Sequence, residues 1–448
     1  MLAMRANFLL TFSTRNIHTG SFSREFNRPA RGQLFCLEEF LTTFQILPIE
    51  YDGSMHSNPM VSYFGRTNKR PPFRDFGIKQ ADRLFHMYAI GKTGTGKTTF
   101  LETQVLQDIL FGRGVAVIDP HGDLAERLVS QVPKLRLHDL VYLNASDISQ
   151  PFGYNPLRRV QKERIPLAAS GLMEAFKKLW GDAWGVKMEH ILRNALYALI
   201  EYGEATLPDI LRIFTQKDFR RVVLAKVTNE QVKEFWTNEF KGYNPRFAAE
   251  AIAPIQNKVG ALLADPRLYR MFVNPPVDLH FRQIMDEGKI LIVNLSKGSL
   301  GEDSANLLGA ILVTTLGLAA LSRSDIEESR RRDFHVFIDE FQTFTTLSVA
   351  NMVSEIRKYH VGLVLAHQNL YQLEPEVRHA VLGNVGTVIC FRLGPEDAQL
   401  LAREFEPTFR RQDIVNLPNH SVYLKLMIDR APSMPFSATT LRPEDVNH

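Results

Sequence analysis

Cysteine is nearly absent from this chain: Cys36 and Cys390 are the only two in 448 residues. Two thiols cannot staple a secreted scaffold or fill a zinc cluster, so the sequence fits a reducing compartment and argues against thiol chemistry. Neither sign of charge is in large excess, and the formal net charge is +4. Any nucleic-acid contact must therefore come from a local basic patch, not from the overall charge. Long hydrophobic runs are missing too. The longest uncharged apolar stretch, Leu307 to Leu321, falls short of the ~20 residues that span a bilayer and reads as a buried helix. The first 24 residues lack acids and carry Arg and Ser, which imitates a transit peptide; they read equally well as an unstructured start.

What remains is globular: 45% hydrophobic and 23% charged residues, with length enough for about three domains. Residues 1–75 show no sustained periodicity, and NPMVSYFGRTNKRPPFRDFGIK is so rich in turn formers that it reads as an irregular lead-in. From His86 onward, short β-branched or aromatic runs alternate with helical spacing. MYAI (87–90), VAVI (115–118) and LVYL (140–143) read as strands, with helices near 98–110 and 123–130. This rhythm implies a parallel sheet covered on both faces. Residues 157–285 have helical spacing without a convincing strand and read as an all-α insertion. Strands resume at KILIVN (289–294), FHVFID (334–339), VGLVLA (361–366), TVICFR (387–392) and VYLKLMI (422–428). The expected division is a lead-in (1–75), an α/β nucleotide domain split into 76–156 and 286–430, the helical insertion, and a tail (431–448).

The strongest chemical signal is Gly91-Lys92-Thr93-Gly94-Thr95-Gly96-Lys97-Thr98, followed by Thr99. It matches the phosphate-loop pattern at every fixed position, between a strand (MYAI) and an apolar helical stripe (Leu101, Val105, Ile109). Glycines let backbone N–H groups converge on a phosphate, and the helix dipole favours the anion. Lys97 reaches the β- and γ-phosphates, and Thr98 is placed to ligate Mg²⁺. A second acidic site is expected at Asp339-Glu340, where FHVFI ends. Asp339 at the strand edge would hold the metal's water shell, and Glu340 would polarise the attacking water.

Gln368, after VGLVLA, is placed either to contact the γ-phosphate or to cap a turn. Arg357, before the same strand, reads either as a cation at a helix C-terminus or as an arginine finger reaching a neighbouring subunit. Arg392 is a second candidate for that finger. In Asp119-Pro120-His121-Gly122-Asp123, Asp119 could orient Mg²⁺ or water, and a helix cap from Asp123 is favoured over a metal role for His121. Lys177-Lys178, Lys297 and Arg330-Arg331-Arg332 are basic spots that suit either solvated surface or DNA phosphate contact. The 294–303 loop is a candidate channel loop. Trp180 and Trp184 are expected to pack the helical region.

Together, GKTGTGKTTF, VAVIDPHGDL, an all-α insertion, KILIVNLSKG, FHVFIDEFQTF and LAHQNL resemble the conjugative coupling ATPases of type IV secretion systems. That is the VirD4/TraD/TraG group, related to the HerA and FtsK DNA translocases, and the resemblance covers about 60–430. It implies a RecA-like P-loop motor that binds ATP and Mg²⁺, assembles as a homo-hexameric ring and passes DNA along its channel. By motif position it implies Lys97 and Thr98 as the Walker A pair, Asp339 and Glu340 as the Walker B pair, and Gln368 as sensor. It also favours Arg357 as the trans-acting arginine, and implies relaxase or secretion-apparatus proteins as partners of the helical region. Coupling proteins usually carry N-terminal membrane helices and this chain shows none, so the expectation is a cytoplasmic protein recruited to the inner face of the membrane. The alternatives in the same fold are a HerA-like repair translocase and a motor or docking platform for protein or pilus substrates.

Overall fold

The computed structural model describes residues 58–181 and 184–446. The transit-peptide reading, Cys36 and the first part of the expected lead-in lie outside them. Eleven strands form one sheet: β1 (Val61–Thr67), β2 (Asp75–Lys79), β3 (Met87–Ile90), β4 (Gly114–Asp119), β5 (Leu140–Asn144), β6 (Ile290–Asn294), β7 (Phe334–Ile338), β8 (Val361–His367), β9 (Thr387–Cys390), β10 (Ser421–Lys425) and β11 (Phe436–Thr440). Their spatial order is β2-β1-β11-β10-β9-β3-β8-β7-β4-β6-β5.

From β9 to β5 every neighbouring pair is parallel. Every residue of β3, β4, β6, β7, β8 and β9 is buried. That is why these strands read as continuous apolar runs instead of alternating ones. Register pairs Ile90 with His367, and Ile338 with both Leu365 and Ile118. The residues that follow β3, β7 and β8, together with the end of β4, therefore emerge along one edge of the sheet, the carboxyl edge where open α/β sheets bind ligands.

The other four strands pair antiparallel and extend the sheet past β9. Here the structure corrects the sequence reading: part of the supposed irregular lead-in forms β1 and β2, and part of the supposed tail forms β11. The reason is local. β1 has a register shift between Tyr63 and Gly65 that breaks its alternation, and a Cβ on Gly65 would lie 2.4 Å from the Phe76 ring. Phe64 from the same strand is buried edge-on against Phe76 and Phe100, with centroids 5.4 Å apart in each case. The extension thereby packs on the helix that leaves the phosphate loop, α1 (Lys97–Leu110). VYLKLMI also divides: 421–425 stays in the sheet, while Met427–Ile428 pairs with Ala431–Pro432 in a small hairpin.

α2 (Asp123–Ser130) follows β4. Between β5 and β6 the chain is mostly helical, including α3 (Ile165–Trp180), α4 (Val186–Tyr202) and α5 (Pro245–Ala264). It enters at Phe152–Gly153 and returns at Val277–Asp278, and these two short strands pair in parallel as a neck. Trp180 stacks on Phe176 at 4.8 Å and lies 5.5 Å from Trp184, so both tryptophans pack here as expected. α6 (Glu302–Ser322) contains the long apolar stretch. With the turn to Asp325 it is long and apolar enough to cross a bilayer by composition, but 78% of its apolar window is buried inside the fold. It crosses α3 closely: a Cβ on Gly171 would sit 2.4 Å from Thr314 Cγ2.

Candidate functional site

The carboxyl edge gathers the phosphate loop and the acidic segment around a cavity of about 260 Å³. Thr93, Gly94, Gly96, Lys97, Thr98, Thr99, Asp339, Glu340 and Gln368 line it, with two histidines, His121 and His420. Gly94 and Gly96 have φ of +74° and +117°, conformations that turn the loop and are open to glycine at little cost. The loop is pinned from both flanking strands: Gly91 N donates to His367 O (3.1 Å), and Lys92 N donates to Arg392 O (2.9 Å). Lys97 Nζ donates to the carbonyls of Gly91 (2.6 Å) and Lys92 (3.0 Å), inside the curl of the loop. Burial lowers the Lys97 pKa, and Glu340 and Asp339 pull the other way.

Thr98 Oγ1 donates to Asp339 Oδ2 at 3.4 Å, so the first helical residue and the end of β7 meet. Asp339 is buried, and burial, then repulsion from Glu340 and Asp119, raises its pKa to about 6. Glu340 has a left-handed backbone, φ +47°, which a non-glycine residue adopts under strain. Its carboxylate lies between two amides: Gln342 Nε2 donates to Oε2 at 2.7 Å, and Gln368 Nε2 donates to Oε1. Thr93 Oγ1 in turn donates to Gln368 Oε1 at 2.8 Å. One chain of hydrogen bonds therefore runs from the phosphate loop through Gln368 to Glu340.

Several expected residues stand elsewhere. Arg357 is exposed at the opposite edge of the sheet, its guanidinium 3.8 Å above the Phe85 ring. Strand β8 separates it from Gln368 by at least ~20 Å, so it cannot reach its own phosphate loop. Arg392 is nearer, but its side chain binds Asn419 Oδ1 (2.8 Å). Asp119 accepts from His121 N and Ala125 N, both at 2.9 Å, while the N-cap residue just before α2 is Gly122, which has no side chain to cap it. Asp119, not Asp123, supplies the helix cap. Each of its two oxygens thereby accepts one backbone amide.

The basic spots are mostly spent on the fold. Lys178 Nζ is bonded to two backbone carbonyls. Arg331 donates to Lys358 O (2.6 Å) and Arg332 to Glu287 O (2.7 Å). Lys297 pairs with Glu302 at 2.5 Å. Two site residues escaped the sequence reading. Gln342 lies two residues beyond the acidic pair, a spacing that could have drawn notice. His420 arrives from the segment before β10, and no motif marks it.

A family model described as the type IV secretion-system coupling protein DNA-binding domain matches residues 77–423. Among solved structures, the bacterial conjugative coupling protein TrwBdeltaN70 is 17% identical. It superposes with a TM-score of 0.60 over 82% of this chain and 87% of that one. TrwB in complex with ADP and Mg²⁺ is 16% identical, with a TM-score of 0.57 over 83% and 89%. VirB4 of Thermoanaerobacter pseudethanolicus is also 16% identical, with a TM-score of 0.56 over 90% and 100%. No curated protein matches the sequence. At these identities the solved structures establish the fold: a P-loop α/β core with a helical insertion.

Proposed function

The chain belongs to the family of type IV secretion-system coupling proteins, and on that premise we propose that it is an ATP-hydrolysing motor that moves DNA in conjugation-like transfer. The observation that carries this reading is the meeting of Thr98, Asp339 and Glu340 beside Lys97 in one cavity. The residues fit a nucleotide with its divalent cation. The glycine loop offers an anion cradle at a helix N-terminus. Burial first, and then the nearby Glu340 and Asp119 carboxylates, raise the Asp339 pKa to about 6, and a cation beside these acids would offset that penalty. Among the described residues no cluster of three His, Cys, Asp or Glu side chains is placed to hold a metal by itself. Mg²⁺ is commonly held by one or two protein oxygens together with phosphate and water, and Thr98 and Asp339 could supply the protein's share.

Bound ATP and Mg²⁺ supply the phosphoanhydride and the Lewis acid. Residues 91–99 would bind the phosphates, and Lys97, now on the Gly91 and Lys92 carbonyls, would turn to phosphate oxygens. Thr98 and Asp339 would hold the cation. Glu340 accepts the proton of the attacking water, and Gln368, tied to both Thr93 and Glu340, couples the loop to that carboxylate. Arg357 acts, in this reading, on the site of the next subunit of a homo-hexamer, because its own site lies at the other edge of the sheet. The DNA path is sequence-independent, with phosphates as the contacted groups.

The test is steady-state ATPase activity with Mg²⁺, with and without single- or double-stranded DNA, at low and moderate salt. Turnover that DNA stimulates and salt suppresses, and that Glu340→Gln abolishes, is expected. Turnover indifferent to DNA points instead to a protein substrate. Undiminished turnover in Glu340→Gln removes the assignment of the general base.

A further inference from the structure

His420 lies far from the phosphate loop in sequence but is built into its wall. Its backbone N donates to Thr95 O at 2.9 Å, and its carbonyl accepts from Thr440 N at 2.8 Å. It thus bridges the loop and the antiparallel extension. Its φ is +62°, a conformation that a non-glycine residue holds only when its surroundings require it. The neighbouring Asn419 receives Arg392, whose backbone also pins Lys92.

The imidazole occupies the space that a side chain on Gly96 would need: a Cβ there would lie 2.8 Å from His420 Nδ1 and 3.4 Å from its Cε1. Nδ1 is buried and has no hydrogen-bond partner. Nδ1 is unpartnered in either tautomer, and the tautomer with its proton on Nε2 presents a donor at the other edge of the ring. Nε2, at the other edge of the ring, has no partner among the described residues either, and His420 lines the cavity that holds Lys97 and Thr98.

We propose that His420 is a nucleotide-binding residue, its Nε2–H donating to the phosphate chain of the nucleoside polyphosphate held by the loop. This rests on the nucleotide reading of the site. A hydrogen bond to a charged phosphate is among the stronger kinds and does not depend on the base.

The test is calorimetric binding of ADP and of GDP, each with Mg²⁺, to the full chain. His420→Phe keeps a flat ring beside Gly96 and removes the donor. His420→Gln keeps a donor at similar reach. The Phe variant is expected to bind both nucleotides roughly 10-fold or more weakly, with the Gln variant recovering much of the loss. Wild-type affinity in His420→Phe overturns the proposal, and a loss for ADP but not GDP overturns its phosphate assignment. Should the Phe variant melt below wild type, histidine-labelled wild-type protein decides. The imidazole resonance absent from His420→Gln must shift when ADP saturates the site, and a stationary resonance overturns the role. Lys97→Ala is the control: if it binds as well as wild type, the nucleotide reading itself fails, whatever His420 does.

Discussion

The ammonium of Lys178 donates to the carbonyl oxygens of Gln342 and Thr345, at 2.6 and 2.8 Å. Lys178 belongs to the last turn of α3, in the helical region, whereas Gln342 follows the acidic pair at the end of β7. Since Gln342 Nε2 also holds Glu340 Oε2 at 2.7 Å, the helical region is tied through one residue to the carboxylate assigned as general base. A movement of α3 would be felt at Glu340.

Replacing Lys178 with Met should therefore lower kcat for ATP roughly 5- to 10-fold, the size of about one lost hydrogen bond or a little more. ADP affinity should stay at the wild-type value, because the phosphate loop is untouched. Steady-state kinetics with parallel nucleotide-binding measurements checks this. Unchanged kcat with a raised KM would refute the link.

The same residue carries a pH signature. Burial, partly offset by Glu374, lowers the Lys178 pKa from 10.5 to about 8. Between these values the unfolded chain binds more protons than the folded one, so this group makes stability rise with pH from about 8 to about 10.5. Denaturant unfolding at pH 7.5, 9 and 10 should show wild type gaining on Lys178→Met as pH rises. A constant or narrowing difference would contradict the assignment.

In the last turn of the phosphate-loop helix, Asp108 is fully buried and bonded to Arg83 at 2.7 and 2.8 Å and to Arg113 at 2.6 Å. Burial pushes its carboxyl up, but Arg83 and Arg113 outweigh this and hold it well below the usual carboxylate range. A depressed carboxylate adds stability above its unfolded pKa and loses it as pH falls, so the pair contributes at neutral pH and weakens in acid. Asp108→Asn leaves two arginines short of their counter-charge and should cost about 3–5 kcal/mol. Urea unfolding at pH 7 checks the loss, which should shrink as the pH is lowered.

Much of the site was legible in the chain because its signals are local. Glycine spacing between a strand and a helical stripe marks residues 91–98. Apolar runs such as FHVFI and VGLVLA are uninterrupted because their strands are buried on both faces, and the polar residues that end them stand out. The helical spacing of residues 165–202 was equally visible, since α3 and α4 each bury a stripe.

Tertiary structure alone decided the rest, for a common reason: pairing across long separations leaves no periodic trace in either partner. β1 hides its strand behind a register shift, and only its place beside β11 and over Phe100 makes it part of the core. His420 looks like any loop histidine until the antiparallel extension carries it onto Gly96. Lys178 reads as surface charge until α3 docks its ammonium on two carbonyls. Arg357 and Gln368 look close in sequence, yet an extended strand of seven residues sets them at opposite edges of the sheet. The sequence by itself determined which groups can do the chemistry; strand order and register determined which of them meet.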